Sequence, residues 1–149
     1  MGQQESSHRR ATLTIPNDPK RLGAVREFVS KMVQASTLGR AEENKLILAV
    51  DEAVTNVIEH SYGPGEKGPI EIEIESTEIE FIIYIRDEGR LFNPELVPNP
   101  DVMENLKMGK KKGLGIFLMR QIMDEIKYRY VENAKNELTL VKRIRPPGP

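Results

Sequence analysis

Apolar positions recur along this chain with two different periods, and the switches between them divide it into elements. Thr12-Leu13-Thr14-Ile15 alternates as a short strand, after which Asp18 can cap and Pro19 can open a helix running to about Ser36. A second helix is predicted from about Arg40 to His60. In it Leu46, Ala49, Val50, Ala53, Val54 and Val57 form a stripe for burial, and Gly63 stands just past its end as a stop. Ile70, Ile72 and Ile74 alternate with Glu71, Glu73 and Glu75, which predicts a strand with one face buried and one in water. After a turn near Ser76-Thr77, Ile79 to Asp87 reads as a second, more buried strand. Gly113 to about Lys127 is predicted as the third helix, with Leu114, Leu118, Ile122 and Ile126 at successive fourth positions. Tyr128 to Val131 and Leu138 to Arg143 close the chain as a hairpin.

Helices interleaved with mostly hairpin-paired strands predict an α+β two-layer sandwich, a mixed and mostly antiparallel sheet covered on one face by helices. A length of 149 residues fits a single domain. Residues 10–144 are expected to form it, with 1–9 and 145–149 as loose tails. The start is polar and without period, and Arg145-Pro146-Pro147-Gly148-Pro149 continues neither a helix nor a central strand. The Pro/Gly clusters from Gly63 to Pro69 and from Pro94 to Pro100 read as loops within that domain. The segment Glu88 to Lys112 spans about 25 residues, too long for a plain connection, and is expected to be a lid.

Composition narrows the function classes. A net charge of −1, from 22 basic and 23 acidic side chains, argues against a protein that coats nucleic acid or anionic membrane, and 5% aromatic residues leave few stacking platforms. The absence of cysteine removes a disulfide framework, a zinc ribbon and a thiol nucleophile, and fits a reducing cytoplasm. No apolar run approaches the roughly 20 residues of a bilayer span, and Met1 to Arg10 holds no signal-like segment. The expectation is a cytoplasmic protein with no membrane or direct nucleic-acid role.

Three groups of residues can carry chemistry. Glu52 and Asn56, four apart, project together at the edge of the second helix's apolar stripe. They form either a solvated helix edge or a pocket wall, where a carboxylate can take a proton and an Asn oxygen can hold Mg²⁺. Asp87 falls on the same strand face as Ile83 and Ile85, so its carboxylate meets the covering layer. There it can accept an exocyclic amine of adenine, or cap the loop through Gly89 or a backbone amide. Gly113-Leu114-Gly115 opens the third helix directly after Lys110-Lys111-Lys112, which brings free amides and cations to one place, a natural phosphate seat. No P-loop, nucleophile elbow or metal-binding histidine pair occurs. His60 reads as a helix-end residue against the dipole or as a proton shuttle. Met103, Met108, Met119 and Met123 read as an adaptable surface or as packing, the last two at core spacing.

Glu52-Ala53-Val54-Thr55-Asn56, Asp87-Glu88-Gly89 and Gly113-Leu114-Gly115 follow one another as helix, strand end, long loop and helix start. In this the chain resembles the GHKL, or Bergerat-fold, ATPases, and most of all the small anti-sigma-factor serine protein kinases of bacterial stress and sporulation switches. The resemblance spans about Thr12 to Arg143. It implies ATP and Mg²⁺ as cofactors. Asn56 resembles the asparagine that holds Mg²⁺, Glu52 the general base, Asp87 the adenine-reading aspartate and Gly89 its glycine neighbour. Gly113, Leu114 and Gly115 resemble the second glycine box at the base of the ATP lid, and Thr139 the strand threonine that backs the adenine site. Two positions depart from the pattern. Leu91 stands where many relatives have a second glycine, and Lys110 to Lys112 stand where an arginine often precedes the glycine pair, so that Lys112 keeps the charge but not the planar fork. The resemblance implies a kinase that phosphorylates a serine of a STAS-domain antagonist, sequesters a sigma factor and forms a homodimer. A nucleotide-responsive module that sequesters a regulator without transfer, or an ATP hydrolase, are the alternatives.

Overall fold

The computed structural model describes residues 8–91, 114–131 and 135–144. The predicted lid beyond Leu91, with Met103, Met108 and Lys110 to Lys112, the first glycine of the glycine box, Gly113, and most of both expected tails lie outside them. In chain order the elements are β1 (Arg9–Pro16), α1 (Leu22–Gln34), α2 (Arg40–Asn56), β2 (Pro69–Ser76), β3 (Glu80–Asp87), α3 (Leu114–Ile122), β4 (Glu125–Val131) and β5 (Lys135–Arg143). The strands form one sheet of order β1-β2-β3-β5-β4, covered on one face by the helices.

Every neighbouring pair in this sheet is antiparallel, where the sequence predicted a mixed, mostly antiparallel sheet. The crossover through α3 leaves a gap of one strand beside β3, and β5 turns back from β4 to fill it, so β3 and β4 never touch as parallel neighbours. Local chemistry agrees with the predicted starts and stops. The Asp18 carboxylate accepts the Lys20 amide at 3.0 Å and caps a 3₁₀ turn, Pro19–Arg21, that leads into α1. β1 begins at Arg9, three residues earlier than its apolar alternation.

The core lies between the sheet and the helices. Ile70, Ile72, Ile74, Phe81, Ile83, Ile85 and Leu140 project from the sheet, and Val25 and Val29 of α1 with Leu46, Ala49, Val50, Ala53 and Val54 of α2 meet them, all at most 1% exposed. α2 packs against both α1 and α3 and is the central helix. The third helix corrects the reading of its stripe. It stops at Ile122, and Ile126 belongs to β4. Its buried residues are Ile116 and Met119, continued by Met123, not Leu114, Leu118 and Ile122. Steps of four alone drift about 40° per step around a helix, whereas a stripe that stays on one face mixes threes and fours. Asp124 ends the helix by joining the sheet, its amide donating to Val141 O at 2.8 Å.

The other face of the sheet is less open than Glu71, Glu73 and Glu75 suggest. Arg86 donates through Nη1 to Glu71 and Glu73, each at 2.8 Å, and through Nε to Glu137 at 2.7 Å. Arg10 reaches Glu73, and Arg129 reaches Glu137. Glu73 is 9% exposed and Glu137 6%, so cations rather than water satisfy both. No described helix is long and apolar enough to cross a membrane.

Candidate functional site

The site begins where α2 ends. After Asn56 the backbone widens into a π turn, Val57–Ser61, closed by the Tyr62 amide donating to Val57 O at 3.3 Å. Turns of this kind occur mostly as single insertions in α-helices, frequently at functional sites. Here the turn delivers the Ser61 carbonyl to the backbone after β3, where it accepts the Arg90 amide at 2.7 Å. Gly89 lies between them. A Cβ at Gly89 would run into the Ser61 carbonyl, so the glycine is required by a close approach of two backbones. Tyr62 completes the junction: its hydroxyl donates to Pro69 O at 2.8 Å and accepts the Glu88 amide at 3.0 Å.

Between α2, α3 and the ends of β3 and β5 lies a cavity whose lining includes Asn56, Ser61, Asp87, Met119, Tyr128 and Asn136, over a floor of Ile85 and Leu138. Asp87 points to the covered face, as the period of two requires, and is 3% exposed. Its Oδ1 accepts the Gly89 amide and Asn136 Nδ2, both at 2.9 Å, and Ser61 also bonds the carboxylate. Burial pushes the Asp87 carboxyl above the ordinary aspartate range, opposed by the bonds from Asn136, Gly89 and Ser61. It therefore both caps the loop and faces the cavity, and the two readings of Asp87 are compatible.

Asn56 lines the same cavity, and its Nδ2 is buried without a hydrogen-bond partner among the described residues. A half-turn of the amide would present Oδ1 there instead, which suits an oxygen-seeking cation. Glu52, one turn earlier on α2, lies against the start of α3: a Cβ on Gly115 would collide with its carboxylate. Leu114 and Gly115 form the first turn of α3, so their amides belong to the unpaired set of a helix N-terminus. Gly113 and Lys112 precede α3, outside the described residues. His60 is exposed and does not line the cavity.

Thr139 is placed elsewhere. In the register of β3 with β5, Asp87 pairs with Asn136 and Ile85 with Leu138, whereas Thr139 pairs with Tyr84 on the opposite face of the sheet. The residue of β5 that reaches the cavity beside Asp87 is Asn136, which sequence reasoning missed. The predicted strand began at Leu138, and the polar run Lys135-Asn136-Glu137 read as part of the turn. Only the cross-strand register, in a strand that starts at Lys135, puts Asn136 opposite Asp87. Ser61 was missed because a regular helix does not present it to β3 and the π turn does.

Known proteins resemble this chain over most of its length. Residues 15–142 match the family described as histidine kinase-like ATPase domain. Similar proteins include the serine-protein kinase RsbW of Listeria monocytogenes serovar 1/2a, 29% identical over 136 residues that span 89% of this chain and 87% of that one. The serine/threonine-protein kinase BtrW of Bordetella bronchiseptica is 30% identical over 101 residues, 68% of this chain and 70% of that one. The serine-protein kinase RsbW of Bacillus velezensis is 32% identical over 124 residues, 77% and 74% of the two. Among solved structures, the RsbU and RsbW domains of a Mycobacterium tuberculosis protein share the fold, with a TM-score of 0.63 at 15% identity over 93% of this chain and 33% of that longer one. The chain thus belongs to the histidine kinase-like ATPase domain family, whose fold binds ATP, in the branch that holds these small serine-protein kinases.

Proposed function

We propose that this chain is a Mg²⁺- and ATP-dependent serine-protein kinase that phosphorylates a STAS-domain antagonist and, as a cytoplasmic homodimer, holds a sigma factor on another surface. The observation that carries this reading is a buried carboxylate, Asp87, in the same cavity as Asn56, whose Nδ2 has no hydrogen-bond partner among the described residues. In it Asp87 accepts the 6-amino group of adenine. Asn56 holds Mg²⁺ together with the phosphates; among the described residues no cluster of three or more His, Asp or Glu gathers as a self-sufficient metal site. When bound, Mg·ATP supplies the phosphoryl group and spreads its charge. The amides of Leu114 and Gly115 face the phosphates, and Lys112 and Gly113, which precede them in the sequence, are assigned to the same nucleotide. Glu52, against the start of α3, orients the serine hydroxyl and takes its proton.

The test compares wild type, Glu52→Ala and Asp87→Ala with Mg-ATP in lysate of the source cell, followed by capture and identification of phosphoserines. Wild type alone is expected to phosphorylate a small partner. Glu52→Ala should bind ATP within about twofold of wild type and lose transfer by about 10²- to 10⁴-fold, while Asp87→Ala should show no ATP binding by calorimetry. Normal affinity in Asp87→Ala refutes the pocket assignment. A partner held equally by wild type and Glu52→Ala without phosphate identifies a sequestering module, and steady phosphate release without an acceptor identifies a hydrolase.

A further inference from the structure

The polar groups behind Asp87 have only one consistent arrangement. Asn136, 3% exposed, has one end of its amide against three oxygens: Asp87 Oδ1 at 2.9 Å, the Arg90 carbonyl at 2.8 Å and the Gly89 carbonyl at 3.3 Å. A carboxylate and two carbonyls accept and do not donate, so the end that faces them is the NH₂ group, whatever the initial assignment of the amide. Its two protons serve Asp87 and Arg90, with the longer approach to Gly89 shared. The other end, Oδ1, then faces Tyr128, whose hydroxyl donates to it. The direction of the chain Tyr128 to Asn136 to Asp87 follows from these polarities.

The Gly89 amide lands on the same carboxylate oxygen as Asn136, at 2.9 Å. Asp87 Oδ1 is thus doubly committed to the protein, and Oδ2 takes part in neither bond. Asp87, Asn136 and Tyr128 all line the cavity. We propose that Asn136 is the positioning residue for Asp87: it occupies Oδ1, keeps Oδ2 turned to the ligand's exocyclic amine, and locks that orientation to the backbone at Gly89 and Arg90, with Tyr128 fixing the amide from behind. This rests on reading the cavity as the adenine site. Asn136 is buried, so water cannot readily replace its donor. Leucine fills a similar volume and removes both bonds, leaving the carboxylate to the Gly89 amide and Ser61 alone.

The discriminating probe is purine riboside triphosphate, which carries hydrogen where ATP has its 6-amino group. Binding of each nucleotide with Mg²⁺ is measured by calorimetry on the full-length protein. Wild type is expected to prefer ATP. In Asn136→Leu the preference should fall about tenfold through weaker ATP binding, with the Kd of the analogue within about twofold of wild type. Tyr128→Phe keeps Asn136 and should reduce the preference by a smaller factor. A purely structural role would weaken both nucleotides together, so an unchanged preference in Asn136→Leu overturns the proposal. Where Asn136→Leu fails to unfold cooperatively, Tyr128→Phe decides: an unchanged preference there overturns it equally. A wild type without preference, alongside an Asp87→Ala variant with normal ATP affinity, would instead sink the adenine-site reading, which is distinct from a selective wild type with an indifferent Asn136→Leu.

Discussion

Asp87 is held in a position that costs the folded state energy. Burial raises its carboxyl above the ordinary aspartate value of 3.8, and the bonds from Asn136, the Gly89 amide and Ser61 pull it back only in part. A carboxyl with a raised folded pKa binds its proton more readily folded than unfolded, so its contribution to stability declines as pH rises from 3.8 through the folded value. Asp87→Asn keeps an acceptor for Asn136 and the Gly89 amide and removes the buried charge. It should raise Tm by about 3 °C at pH 7 to 8, with the gain shrinking as pH falls toward the aspartate range, while ATP binding is lost. Scanning calorimetry across pH reads the first effect and nucleotide titration the second. Gly115 bears on Glu52 in another way. The three atoms nearest an added Cβ all belong to the Glu52 side chain, and the worst clash is with its flexible carboxylate end, which can move aside. Gly115→Ala should therefore leave Mg-ATP affinity within about threefold and cut transfer by about 10²-fold, the loss expected for a misplaced reacting group. A raised ATP Kd with unchanged turnover would argue that Gly115 acts on the phosphates alone.

At the scale of elements, two features do more than continue a regular pattern. The π turn after α2 brings Ser61 onto the Asp87–Arg90 corner, and the missing side chain of Gly89 lets the two backbones meet. The second feature is the outer face of β2, β3 and β5, where Arg86 joins Glu71, Glu73 and Glu137 and its guanidinium carbon lies 5.0 Å from the centre of the Tyr84 ring. Arg86 is held above even the ordinary arginine range by these carboxylates, against its own burial. Arg86→Met keeps the aliphatic stem and strands Glu73 and Glu137 without their shared cation. Removal of one partner from a buried ion network costs about 3 kcal/mol, which a urea titration at pH 7 would read as a lowered midpoint. Because that cost falls on buried carboxylates left with Arg10 and Arg129 alone, the deficit should shrink as the pH is lowered and they protonate.

Across the whole molecule, carboxylates of opposite tendency set the response to acid. For Glu73 burial is the largest single influence and pushes upward, but the bonds from Arg86 and Arg10 together hold it below 4.5; Glu137 follows the same balance with Arg86 and Arg129. A depressed carboxylate contributes stability above its unfolded value, lost as pH falls through the folded one. The urea midpoint of wild type is therefore expected to hold above pH 4.5 and drop below it, with Asp87 partly offsetting the loss. In Asp87→Asn the acid drop should be steeper, since a group that gains from acid is gone.

The period of the apolar residues by itself determined the eight elements, the helical cover on one face of the sheet, the inward direction of Asp87 and the shared side of Glu52 and Asn56, because those depend on the geometry of single helices and strands. What lies beyond one element's reach was decided by tertiary structure. The apolar period is silent across Lys135-Asn136-Glu137, so β5 was read as starting too late, and Thr139 was assigned to a face that the register with β3 gives to Asn136 and Leu138. Likewise Glu73 alternates as a solvent-facing residue, yet Arg10 and Arg86 from the neighbouring strands enclose it. A strand's own sequence sets which side chains share a face. Which residue stands opposite, and whether water or a cation satisfies it, depends on a neighbour that pairing brings from far along the chain.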